Sequence, residues 1–288
     1  MVRMNPYTLT KQSIESFIAD EALTRGAAIA FYTATSIGPV LFLVVAIAGL
    51  VFGEEASRGA IVEQLGGLMG HSSADFLQTA IQNAGKSRSA GITATIIGAV
   101  TLLITASGVF GEMQNTLNVM WEAEPKGTTV IRWLRTRIAS LGLVATIGFL
   151  LLVSLVVSAL LSALSSYINA YLPFGHLILQ SISFVISFCF ITVLFGAIYK
   201  ILPDRDIAWR DVLVGAAVTA LLFTIGKLLI SLYLGSSSVA SSYGAAGSFI
   251  IVLLWIYYSA QIFLLGAEFT KVYAHHHGSF AKDQNSKR

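Results

Sequence analysis

The residues of this sequence that could do chemistry are polar groups set inside long apolar stretches. One series runs Thr101, Thr105, Gly108, Glu112 and Asn115, at spacings of four, three, four and three residues. That spacing keeps all five on one face of an α-helix. A polar face on an apolar helix is costly in a bilayer, so it indicates either a solute pathway or close packing against another helix.

A second polar face lies near the end of the chain, where Tyr257, Gln261 and Glu268 share one side of a helix with Leu264. Two interpretations of Glu112 and Glu268 stay open, because both lie near the ends of apolar stretches. They either handle a substrate or a proton, or they form ion pairs with basic residues at the membrane boundary. The basic residues within reach would be Arg25, Lys200 and Arg210.

Two further positions in apolar stretches need an explanation. Lys227 interrupts residues 212–234 about two-thirds of the way along. It either faces a water-filled cavity or an anion, or its long side chain snorkels to the interface. Pro39, which follows Gly38, cannot donate a hydrogen bond to the carbonyl of Thr35. We therefore predict a kink or hinge at these two residues.

The elements that carry these groups are predicted to be membrane-spanning helices. Only 11% of the 288 residues are charged, and the 62 residues between Arg137 and Lys200 contain no Asp, Glu, Lys or Arg. About 20 residues of helix cross the ~30 Å hydrocarbon core, so this run must hold two spans and a turn. The whole sequence predicts six spans, at residues 28–52, 91–111, 138–164, 177–199, 212–234 and 247–267.

The basic residues predict how these spans are oriented. With the N-terminus inside, fourteen Lys and Arg residues fall in the inner segments, three in the outer segments, and Lys227 within a span. The positive-inside bias therefore favours both termini in the cytoplasm. The predicted fold class is an all-α integral membrane protein with six transmembrane helices.

Outside the spans, the sequence predicts three small features in a single membrane domain, residues 1–275. A stretch from about Thr8 to Leu23 favours an amphipathic helix lying on the inner leaflet. The outer segment 53–90 has room for two short helices between the first and second spans, and residues 276–288 are predicted to be a disordered cytoplasmic tail. The apolar face of the interfacial helix would hold Leu9, Ile14, Phe17, Ile18 and Leu23.

Hydrolytic and metal chemistry are not supported by the residue types. The histidines at 275–277 are consecutive, so their side chains fan around a helix and do not meet at one ion. Glu122 and Glu124 do not share a helical face, and no nucleophile–histidine–acid set is visible. The inner segments carry eleven acids against fourteen basic residues, too weak a charge for nucleic acid. We predict no enzyme activity, no metal, no cofactor and no nucleic-acid partner.

Four segments of the chain, in order, resemble a known family. The first span reads RGAAIAFYTATSIGP from Arg25 to Pro39, and the second ends ASGVFGEMQNTLNVMW from Ala106 to Trp121. The loop before the fifth span and the start of that span read LPDRDIAWRDVLVGA from Leu202 to Ala216. The last span reads YGAAGSFIIVLLWIYYSAQIFLLGAE from Tyr243 to Glu268. Over roughly residues 8–275 the chain resembles the YihY / virulence factor BrkB family of bacterial inner-membrane proteins.

This resemblance implies a six-span protein of the bacterial cytoplasmic membrane whose biochemical activity is not firmly settled. Members have carried a ribonuclease label, have been linked to serum resistance, or have been suggested to transport ions or solutes. The residues described above disfavour the ribonuclease. The expected partners are the lipid bilayer and an unidentified small solute or ion, and a homo-oligomer is compatible with the sequence.

Together these observations predict a transporter or permeation-related factor, with the polar faces of the second, fifth and sixth spans lining its pathway. The alternative is a non-transporting scaffold or envelope factor that binds a partner through the outer segment 53–90. Transport predicts a hydrated cavity that reaches Lys227 or Glu112, whereas a scaffold predicts polar stripes closed in dry helix packing. The predicted pathway residues are Glu112, Asn115, Lys227, Gln261 and Glu268.

Overall fold

The computed structural model describes residues 5–53, 108–123, 175–236 and 246–281, with short pieces at 55, 58–59, 61–63, 78–79 and 82. All regular secondary structure in these residues is helical. The helices are α1 (Pro6–Ala19), α2 (Ala22–Phe52), α3 (108–120), α4 (Gly175–Ile201), α5 (Trp209–Ser236) and α6 (Gly247–His276).

Three helices in the described part of the chain are long and apolar enough to cross a membrane. They are Leu179–Ile201 in α4, Trp209–Tyr233 in α5, and the stretch Gly247–Ala281 that contains α6. A helix satisfies its own backbone hydrogen bonds, so side chains such as Leu228 and Leu232, 60% and 71% exposed, can face lipid.

These helices can be compared with the spans predicted from the sequence. Within the described residues the all-helical fold is confirmed, and helices occupy the predicted spans 177–199, 212–234 and 247–267. Helix α2 also contains the predicted first span, 28–52. Residues 91–107 and 138–164 and most of the outer segment 53–90 lie outside the described residues, so six spans and cytoplasmic termini stay predictions.

Helix α1 differs from the interfacial helix expected from the sequence. It ends at Ala19 because Glu21 adopts a left-handed conformation, with φ of 54°, before α2 begins. Leu9 is buried and α1 packs against α6 and α2, whereas Ile14 and Ile18 are 46% and 66% exposed. The apolar residues named for this helix therefore divide between a protein-facing side and an outward side, and Leu23 lies in α2. The placement of α1 on the inner leaflet stays a prediction.

Helices α5 and α6 approach closely through two glycine–threonine contacts. A side chain at Gly215 would collide with Thr270, and one at Gly266 would collide with Thr219. Each threonine hydroxyl donates to a carbonyl one turn back in its own helix, Thr219 to Gly215 and Thr270 to Gly266, both at 2.7 Å. Small residues at such spacing let membrane helices pack backbone to backbone.

The end of α6 continues into an ordered turn. The Ser279 N–H and hydroxyl donate to Asp211 Oδ2 at 2.8 and 2.7 Å, and the Phe280 ring lies 5.3 Å from that of His275. The predicted disorder from residue 276 is therefore wrong through Ala281, because Asp211, on the first turn of α5, holds the turn in place. Residues 282–288 lie outside the described residues.

Candidate functional site

Glu268 is the most unusual of the predicted site residues. Its side chain on α6 is fully buried, and neither carboxyl oxygen has a hydrogen-bond partner among the described residues. The charged groups that act on it are Asp20, Lys271 and Glu122. The predicted pairing of Glu268 with Arg25, Lys200 or Arg210 is not found in the described part of the chain.

Lys271 is the cation of this group, and it follows Glu268 by three residues on α6. Its Nζ lies 3.6 Å from Asp20 Oδ2 and 3.4 Å from Glu122 Oε1. The Lys271 side chain is only 16% exposed, whereas that of Glu122 is 79% exposed. We call Asp20, Glu122, Glu268 and Lys271 the Asp20–Glu268 cluster. It joins the α1–α2 turn, the end of α3 and the second half of α6.

Two left-handed residues shape the turns that bring these acids to α6. Helix α3 ends in a Schellman pattern, in which the Ala123 N–H donates to Asn118 O at 2.8 Å and the Glu122 N–H to Val119 O at 3.0 Å. Glu122 occupies the position of positive φ, at 49°, where glycine is usual. Asp20 lies next to Glu21, which has the same conformation. A strained backbone at charged residues is often associated with a functional site.

A clamp between α3 and the α4–α5 loop fixes the end of α3. Asn118 Nδ2 donates to Asp204 Oδ2 at 2.9 Å, and the Asp204 N–H donates back to Asn118 Oδ1 at 2.7 Å. Arg205 Nη1 donates to the carbonyl of Trp121 at 2.8 Å, and its guanidinium lies 4.9 Å from the Phe280 ring centre. These contacts hold the residue just before Glu122, so they position its carboxylate.

Gln261 lies two turns before Glu268 and also faces the start of α2. Its Nε2 lies 3.5 Å from the carbonyl of Leu23, and its Oε1 is buried with no hydrogen-bond partner among the residues described. Gly26 provides the space, because a Cβ there would collide with the amide. Gln261 and Glu268 therefore share the side of α6 that faces α1 and α2, as their spacing predicted.

The remaining predicted residues lie apart from this side of α6. Asn115 on α3 is exposed and Glu112 is half-buried. Lys227 is half-buried on α5, beside the exposed Leu228, and makes no ion pair with any described residue. Gly38 and Pro39 fall inside α2, which runs as one helix from Ala22 to Phe52. Their role as a kink or hinge stays a prediction.

Asp20, Glu122 and Lys271 were missed as site residues by sequence reasoning. Each lies at or near a helix end, where a charged residue is usually solvated. The available signal was weak: Lys271 follows Glu268 by three residues, the spacing of neighbours on a helix face. Nothing in the local sequence shows that the α1–α2 turn and the end of α3 meet at that face.

Comparison with known proteins gives matches along almost the entire chain. A family model described as virulence factor BrkB matches residues 13–288. A UPF0761 membrane protein of Mannheimia succiniciproducens is 27% identical over 256 residues, which cover 87% of this chain and 84% of that protein. No solved structure matches.

Two other relatives match over a shorter region. A UPF0761 membrane protein of Pasteurella multocida is 29% identical over 179 residues, covering 62% of this chain and 54% of that protein. One from Janthinobacterium is 30% identical over 176 residues, covering 60% of this chain and 38% of that protein. The chain thus spans about half the length of the Pasteurella protein. These names state a membrane protein and give no ligand or reaction.

Proposed function

We propose that this chain, which belongs to the virulence factor BrkB family of membrane proteins, is a transporter or permeation factor for a small solute or ion. The observation that carries the proposal is Glu268, buried on α6 without a hydrogen-bond partner among the described residues. A buried ionised carboxylate costs several kcal/mol unless its oxygens are satisfied. Ionisable groups kept within membrane helices despite that cost commonly serve an ion or proton pathway.

The contacts of α6 indicate where such a pathway would run. The α5 side is closed at Gly215 and Gly266, where no further atom fits between the helices. The opposite side carries two polar groups with unsatisfied buried oxygens, Gln261 and Glu268. We therefore place the pathway between α6 and the α1–α2 pair, with the Asp20–Glu268 cluster at one end. This revises the expectation that the fifth span lines it, and leaves Lys227 outside it.

A second function is favoured by the closed α5–α6 contact. Both threonine hydroxyls there are satisfied within their own helices, and Tyr199 Oη donates to the Phe263 carbonyl at 2.6 Å. Polar stripes closed in this way are what a non-transporting scaffold in the membrane would need. Such a protein would act through a bound partner, for which the outer segment 53–90 is the proposed surface.

Flux through proteoliposomes that contain the purified full chain tests the transport proposal, with a panel of inorganic ions and small solutes. We expect Glu268→Gln to lower the flux about tenfold, the change that corresponds to losing roughly 1.4 kcal/mol of interaction. Glu15→Gln is the matched control, because the Glu15 side chain is 61% exposed and pairs only with Lys11 on the same helix.

Two results would count against the proposal. Equal flux in wild type and Glu268→Gln would confirm transport but remove Glu268 from the pathway. A wild type that moves no member of the panel, together with a cellular phenotype that is lost when residues 53–90 are deleted, would favour the scaffold.

A further inference from the structure

Glu268 is a fully buried acid that lies in one cluster with Asp20, whose side chain is 24% exposed. Asp20 Oδ2 and both Glu268 carboxyl oxygens are buried with no hydrogen-bond partner within the part of the chain that the structure describes. Lys271 connects the two groups, because its Nζ lies 3.6 Å from Asp20 Oδ2 and it follows Glu268 by three residues, the spacing of neighbours on one face of α6. Ionised carboxylates only accept hydrogen bonds, so neither group can satisfy the other while both are charged.

Around Asp20 and Glu268, carboxylates outnumber the ammonium groups that could neutralise them. Three carboxylates, Asp20, Glu122 and Glu268, face a single ammonium, Lys271. Arg25 is the other cation nearby, but its Nε donates to the backbone carbonyl of Asp20 at 2.9 Å. A fully buried carboxylate such as Glu268 is costly to keep ionised beside other carboxylates, and a proton taken up by the pair removes that cost.

The same proton would complete the hydrogen bonding. A protonated carboxyl is a donor, and a neighbouring carboxylate is a strong acceptor. One added proton therefore forms an O–H bond on one of the two groups and a hydrogen bond to the other.

A metal ion fits this arrangement less well than a proton does. Among the described residues, no group of three or more His, Cys, Asp or Glu side chains is placed to hold a metal ion. Lys271 already lies 3.6 Å from Asp20, where a second cation would have to approach. An ammonium at that distance repels an incoming cation but not an added proton held within a carboxyl group.

We propose that Asp20 and Glu268 form a binding site for one exchangeable proton, shared between their carboxyl groups. The proton comes from water at the edge of the cluster, where Glu122 is exposed, and leaves by the same route or along α6 toward Gln261. The site exists whether or not the chain transports a solute. Its coupling to movement of a solute rests on the transport function proposed above.

The test is infrared difference spectroscopy on the purified full chain in lipid nanodiscs, titrated upward from about pH 6, where solvent-exposed carboxylates are already ionised. We expect a carbonyl stretch of a protonated carboxylic acid that disappears on deprotonation and shifts in heavy water. Glu268→Gln is expected to abolish the band, and Asp20→Asn to abolish or shift it. Glu15→Gln, which alters an exposed carboxylate, is expected to leave it unchanged.

Wild type without the band, or a band unchanged in both Glu268→Gln and Asp20→Asn, would overturn the proton site. A sodium-dependent change in the spectrum without a protonated band would also overturn it, in favour of a metal cation. If Glu268→Gln does not fold, Asp20→Asn decides alone. The band needs no flux, so a chain that keeps it but conducts nothing disproves only the transport proposal, whereas flux without the band disproves only the proton site.

Discussion

Helix α6 meets its neighbours in two different ways. Toward α5 its small and hydroxyl residues fit closely, and both threonine hydroxyls bond inside their own helices. Toward α1 and α2 it presents Gln261 and Glu268, whose buried oxygens lack hydrogen-bond partners among the described residues. On both sides of α6, small or polar residues recur at the spacing that keeps them on one face of a helix. The difference lies in side-chain length, because threonine can bond back to its own helix whereas a glutamate or glutamine cannot do so easily.

This comparison separates stability from function within one helix. The α5 side satisfies its polar groups locally and brings backbones together, so it can stabilise the fold. The α1–α2 side keeps polar groups that would be better satisfied by a proton, an ion or a solute. We therefore expect substitutions on the α5 side to lower stability, and substitutions on the other side to change binding or flux.

The largest effect is expected from filling the close contact on the α5 side. Gly266→Ala would place a methyl group against Thr219 and the hydroxyl of Tyr199. Overpacking of this kind costs typically 1–3 kcal/mol, and we expect about 3 kcal/mol here because the Thr219 atoms lie on a helix that cannot move alone. The measurement is the free energy of unfolding in detergent or bilayer.

Gly196→Ala is the matched control for this substitution. It lies on α4, where an added Cβ would make an ordinary contact, 3.7 Å from Ala216 Cβ. Unfolding free energies that fall equally in the two variants would mean that the α5–α6 approach is not the tight contact described.

A smaller and opposite effect is expected on the other side of α6. Glu268→Met removes a buried carboxylate and keeps a side chain of similar volume. Replacing a whole buried ion pair with well-packed apolar residues is often neutral or stabilising by 1–4 kcal/mol. Because Lys271 keeps Asp20 and Glu122 when Glu268 is removed, no cation is left unpaired, and we expect a gain of about 2 kcal/mol. The same variant is expected to lose flux and the protonated-carboxyl band. A loss of stability of similar size would show that Glu268 is a structural residue and would remove the contrast between the two sides.

The three apolar helices long enough to cross a membrane were readable from the sequence because hydrophobic length is a local property. The face shared by Gln261 and Glu268 was also readable, because helical spacing sets it. The partners of Glu268 were not, since Asp20 lies 248 positions earlier and meets α6 only through the packing of α1 and the α1–α2 turn. The split of Leu9 from Ile14 likewise depends on which neighbour covers the helix, and no local pattern records that.

The smallest effect on stability is expected from the backbone turn that positions Glu122 beside Lys271. Glu122→Gly and Glu122→Ala remove the same exposed carboxylate, but only glycine relieves the left-handed conformation at φ 49°. We expect the glycine variant to be about 1 kcal/mol more stable than the alanine variant, the usual cost of a side chain at positive φ. Equal unfolding free energies would mean that the end of α3 bears no strain. The glutamate would then be held there without cost, and its place beside Lys271 would need no functional reason.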